Sequence, residues 1–135
     1  MSATPPEETP PTQKPEFDLG LRLHNQGEYY EAHEAWESIW MDESNDEWRL
    51  FVQGLIQVTS AFHKLFGQRA PGGAARLLER GLDKLDKYPP HYLGVALGSF
   101  RDGARPFIAT ISGLAANDSA IDRIDRALVP RLERA

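Results

Sequence analysis

His33 and Glu37 stand one helical turn apart in the run His33-Glu34-Ala35-Trp36-Glu37. Residues at i and i+4 of a helix are surface neighbours, so the imidazole and the carboxylate share one side. Such a pair has a short list of uses. The carboxylate can orient the imidazole for acid–base work, or both can ligate a divalent metal if a third donor arrives from elsewhere. His63 is the obvious third donor. It completes a metal set of His33, Glu37 and His63 suited to Zn²⁺, Mn²⁺ or Fe²⁺, with Glu34 placed to act as general base. The His-Glu-x-x-His zinc motif itself is absent, because Glu37 stands at its second histidine position. Gln53 and Gln57, again a turn apart, could orient a water or a ligand. Trp40 could supply one wall of a small pocket beside them, while Trp36 reads first as a packing residue.

The same residues have a plainer reading. His63 can be a core imidazole satisfied by one hydrogen bond to Glu37 or Glu34, and His33 with Glu37 an interhelical pair. The main expectation is therefore a non-enzymatic helical domain whose pocket binds a partner or small ligand. Its lining would be His33, Glu37, Trp40, Gln53, Gln57 and His63. The alternative is a metal-assisted hydrolase or related enzyme centred on His33, Glu37 and His63. His24 and His91 flank helix ends and carry little weight.

These side chains must be held by helices. Phe17, Leu19, Leu21 and Leu23 precede a helix-stopping Gly27 and give a first helix over 17–25. A second runs from about residue 28 to 41, with Tyr29, Ala32, Trp36, Ile39 and Trp40 on one arc and His33 and Glu37 at its edge. Ser44 and Glu47 have capping-box spacing before a third helix that ends at Gly67. Its apolar face is wide enough to meet more than one neighbour, or a second copy of the chain. Pro71 opens a fourth helix, stopped by Pro89 and Pro90. Shorter helices follow near 92–100, 106–114 and 119–128, the last with Ser119 and Asp122 at capping-box spacing and Ile121, Ile124 and Leu128 on its buried side. No stretch carries the alternation and turn chemistry of a hairpin. The expected fold is all-α, a bundle of antiparallel helix hairpins in one domain over 17–135. Residues 1–16, with prolines at 5, 6, 10 and 11, are expected to form a disordered tail.

Composition narrows function further. The chain has 135 residues, no cysteine and a net charge of −5. Disulfides and thiolate chemistry are excluded. No basic stripe offers a nucleic-acid footprint, and no apolar run is long enough to span a membrane. The tail lacks a secretory signal, which with the missing cysteines suits the cytoplasm.

The stretch from Asn25 through Gly27, His33, Glu34, Trp36 and Glu37 to Trp40, followed by Gln53-Gly54-Leu55-Ile56-Gln57, closely resembles the domain-of-unknown-function family 309. Pro71-Gly72-Gly73-Ala74 and Leu77-Leu78 are similar to it too, so the likeness spans roughly 17–87. It implies a small all-helical fold, places His63 where the family often has a histidine, and brings no established activity. A weaker likeness, carried by Gly20, Gly27, Tyr29, Ala32 and Trp36, is to the tetratricopeptide hairpin. It implies that helices one and two pack as a close antiparallel pair.

Overall fold

The structure, a computed structural model, describes residues 9–135. Helix α1 (Pro15–Asn25) starts on a proline and ends where Gly27, at φ +83°, turns the chain back into α2 (Tyr29–Asp42). Only a residue free of Cβ takes that left-handed turn without strain. The hairpin closes tightly. A Cβ on Gly20 would lie 2.3 Å from the indole nitrogen of Trp36. That indole is fully buried and donates to the Phe17 carbonyl at 3.1 Å. The close antiparallel pair expected of helices one and two is thus formed by a glycine opposite a tryptophan.

Helix α3 (Asp46–Phe66) lies between α2 and α4 (Pro71–Leu85). Its wide stripe, including Phe51, Leu55, Val58, Phe62 and Leu65, is buried inside the chain, so it serves two neighbouring helices of the same molecule. The Gln-Gly-Leu-Ile run has a mechanical meaning here. Gly54 of α3 faces Gly81 of α4, and a Cβ on either would stand about 3 Å from the other's carbonyl oxygen. The α3 cap is Asn45, whose side chain accepts from Trp48 N at 3.1 Å, instead of the expected Ser44. Glu43 in turn accepts from Asn45 N, so the turn is fixed one residue later than the capping-box spacing implies.

Beyond α4 the expected helix near 92–100 is corrected. A minimal hairpin, β1 (His91–Tyr92) and β2 (Val95–Ala96), precedes α5 (Leu97–Ala104). Leu93 and Gly94 both have positive φ, as a tight hairpin turn requires, and strands of two residues are too short to show alternation. The turn expected at Asp102 and Gly103 falls inside α5. Helix α6 (Pro106–Ser112) follows and packs on α4. The expected helix over 119–128 is two 3-10 turns, Ser119–Arg123 and Arg126–Leu128. Asp118 and Asp125 each cap the amide two residues on, which competes with continuous α-helix. Ile121 is buried, but Leu128 is 65% exposed.

Residues 129–135 form a strap across α1. Asn25 grips Leu132 twice, donating to its carbonyl at 3.0 Å and accepting from its amide at 2.9 Å. Ala96 N donates to Glu133 O, and Arg134 reaches the Thr12 carbonyl at 2.8 Å. Thr12 itself is buried in a 3-10 turn, Pro11–Gln13, and donates to Leu93 O at 2.8 Å. Of the expected tail, residues 1–8 lie outside the described residues, while the chain from Pro11 is packed against the hairpin and the strap. Proline supplies the reason, since it fits the first turn of such short helices without losing a bonded amide. Thr12→Val should cost about 1 kcal/mol and lower Tm by a few degrees, measured by calorimetry. An unchanged Tm would place Thr12 outside the folded unit.

Among the described residues no helix is long and apolar enough to cross a membrane.

Candidate functional site

On α2, His33 Nε2 lies 2.6 Å from Glu37 Oε2, the i,i+4 pair read from the spacing. A carboxylate accepts, so Nε2 carries the proton of that bond. The other ring nitrogen, Nδ1, is buried and has no hydrogen-bond partner among the described residues. Across the interface, Gln57 Oε1 on α3 is buried and unpartnered in the same way.

His33 forms part of the wall of a pocket of about 210 Å³ with Tyr30, Ser60, His63, Lys64, Gln68 and Leu77. The Tyr30 ring packs against both imidazoles, its centroid 5.8 Å from that of His33 and 5.2 Å from that of His63. His33 and His63 therefore meet one cavity through a shared aromatic neighbour. His63 is half-buried and faces this opening, so it is not a sealed core imidazole. Two glycines clear space for the pocket's side chains. A Cβ on Gly67 would lie 2.8 Å from His63 Nδ1, and one on Gly73 would lie 2.4 Å from Lys64 Cε.

The other sequence candidates are dispersed. Glu34 is exposed and does not line the pocket, which leaves it remote from a general-base position. Glu37 reaches the site only through His33. Trp40 stands two turns further along α2, its ring covered by the Arg49 guanidinium at 4.1 Å, and Gln53 and Gln57 lie outside the lining as well. Among the described residues no group of three or more His, Asp or Glu side chains is arranged to hold a metal ion. The three-ligand set of His33, Glu37 and His63 is thus not formed as expected. Glu37 is spent on His33 Nε2, and the two imidazoles are arranged about the Tyr30 ring.

Ser60, Lys64, Gln68, Tyr30 and Leu77 did not stand out in the sequence, although a signal was there. Gln53, Gln57, Ser60 and Lys64 recur at helical steps along α3, and Tyr30, His33 and Glu37 do the same along α2. Two polar stripes on adjacent helices make a seam.

His24, set aside in the sequence, is the most buried imidazole, 2% exposed. Nε2 lies 2.9 Å from the Pro130 carbonyl, which can only accept, so Nε2 bears the proton and Nδ1 accepts from the Thr59 hydroxyl at 2.9 Å. Burial among the rings of Tyr29, Trp36, Phe62 and Phe100 lowers its pKa to about 4, with Arg131 adding to the decrease and the Pro130 bond opposing it. Its neighbours come from distant parts of the chain, and they make it a latch for the strap.

Larger depressions lie elsewhere on the described residues. One, of about 570 Å³, lies between the α1–α2 turn and the strap, and another, about 680 Å³ and mainly apolar, lies beside α6. Neither includes His33 or His63, but a third, of about 250 Å³, shares Tyr30 and His63 with the pocket and is lined by Glu28, Glu31 and Arg126 as well.

Residues 17–77 match the model of DUF309, a domain of unknown function, so the resemblance read from the motifs holds. All seven pocket residues fall within that segment. A protein of Aquifex aeolicus (strain VF5), described as an uncharacterized protein, is 31% identical over 77 residues. The match takes in 57% of this chain and 23% of that relative, so the chain spans well under half of the relative's length.

Proposed function

We propose that the chain, whose residues 17–77 match the DUF309 model, binds a small polar ligand in the pocket between α2, α3 and α4. One observation carries this reading. His33 lines the pocket and is held by Glu37, and its second nitrogen is buried with no partner among the described residues. An unpaired buried acceptor costs about 1–3 kcal/mol, and a donor on a bound ligand removes that penalty. With Nε2–H given to the carboxylate, Nδ1 is the ring atom left to meet a ligand, which would present an N–H or O–H to the neutral tautomer. Glu37 is a positioning residue that fixes the tautomer.

The test is a fragment screen by NMR on protein with labelled histidines. Binders should shift His33 Nδ1 saturably, and His33→Ala should weaken them at least about tenfold, the loss of a buried hydrogen bond to a polar group. Binders that leave His33 unmoved would overturn the reading. The metal-assisted alternative has its own arm in the same experiment. Zn²⁺ would have to shift His33 and His63 together at one equivalent, and to lose affinity in Glu37→Gln.

A further inference from the structure

The same pocket points to the chemical class of its ligand, an inference that rests on the ligand-binding reading above. Its seven lining residues include Lys64 and no carboxylate. Lys64 takes part in none of the ion pairs among the described residues. Around the ammonium the lining offers donors: the Ser60 hydroxyl, the Gln68 amide, an imidazole N–H of His63 and the Tyr30 hydroxyl. Leu77 and the Tyr30 ring add an apolar wall.

A cation near the end of α3 has a simpler use, since basic side chains offset the negative pole of a helix C-terminus. That use does not account for how Lys64 is placed. Its aliphatic stem lies across Gly73, with Cε and Cδ 2.4 and 3.1 Å from where a Cβ would stand. Complementing a helix dipole requires no such clearance on the neighbouring helix. A side chain laid along the start of α4 is held at the wall of the cavity instead of sweeping through solvent. Gly67 gives the imidazole of His63 equivalent room.

We propose that the pocket binds an anionic oxygen group, a carboxylate or a phosphate, with Lys64 as its counter-charge and Ser60 and His63 as hydrogen-bond donors. Gly73 is a positioning residue that keeps the Lys64 stem against α4. Charge-assisted bonds of this kind are roughly twice as strong as neutral ones, so the anion is distinguished from its uncharged isostere.

The experiment titrates the full chain with acetate, inorganic phosphate and neutral acetamide at constant ionic strength, following backbone and side-chain NMR shifts. Acetate or phosphate should produce saturable shifts at Ser60, His63 and Lys64, and the tighter of the two identifies the group. Lys64→Met should weaken that binding more than about tenfold with the fold intact by circular dichroism. Gly73→Ala keeps every charge and adds a better helix former, so Tm should hold or rise while anion affinity falls at least about threefold. Acetamide binding as tightly as acetate would overturn the anion while leaving the pocket standing. Gly73→Ala retaining full affinity would remove the positioning role. If none of the three probes shifts the pocket while a fragment still engages His33, the ligand is not an anion. If fragments fail at His33 as well, the pocket reading falls with it.

Discussion

Phe62→Ala should lower the free energy of unfolding by roughly 3–5 kcal/mol, the usual cost of emptying a buried aromatic site. Phe62 is 1% exposed and stands where rings from four helices meet. Its ring contacts those of Tyr29 from α2, Phe66 from its own helix, Phe107 from α6 and His24 from α1. No single neighbour can move in to fill the space, because each is fixed by its own packing. Lys84→Ala, at a partly exposed position of α4, should cost less than about 0.5 kcal/mol and serves as the control. The two are compared by denaturant titration. Equal midpoints would mean that the α3 stripe is not the centre of the core.

The second large effect is acid sensitivity carried by one side chain. His24 is buried as the neutral ring with its pKa lowered from 6.5 to about 4. The unfolded chain therefore binds a proton that the folded chain refuses between those values. Stability from this group is complete above pH 6.5 and is lost progressively as pH falls toward 4. At 1.36 kcal/mol per unit the loss amounts to about 3 kcal/mol. Protonation would also turn Nδ1 from acceptor to donor, so the Thr59 hydroxyl would have to turn and accept, leaving its own O–H to find another acceptor. His24→Gln, which can still donate to the Pro130 carbonyl, should be less stable at neutral pH yet flatter across this window. Urea midpoints for parent and variant from pH 7 to 4 provide the measurement. Parallel curves would assign the acid response to other groups.

The residues that could be read from the sequence are those whose partners are near in the chain. His33 and Glu37 were legible because i and i+4 positions must meet on a helix, and they do, at 2.6 Å. The Gly20–Trp36 contact was legible for a similar reason, since a short turn forces α1 and α2 together. Lys64 escaped notice because a lysine in the last turn of a helix is ordinary. Its interest comes from Gly73, which lies on the next helix. His24 escaped because Thr59 and Pro130 lie 35 and 106 residues away, and no local pattern marks such a meeting. The hairpin at Leu93 and Gly94 was missed because two-residue strands leave no period to detect. The turns over 119–128 were misread because Asp118 and Asp125 favour local capping that an apolar count ignores.

The strap has a consequence for the order of folding. Helices α1 to α4 pack mainly on their neighbours in sequence, so their contacts close short loops and can form early. The strap's bonds to His24, Asn25 and Thr12 close loops of 106, 107 and 122 residues. Those bonds repay the entropy of closure only once the hairpin they dock on exists. The buried imidazole and the clamping asparagine thus wait in a preformed groove, and the chain's far segment seals it as the concluding step of folding.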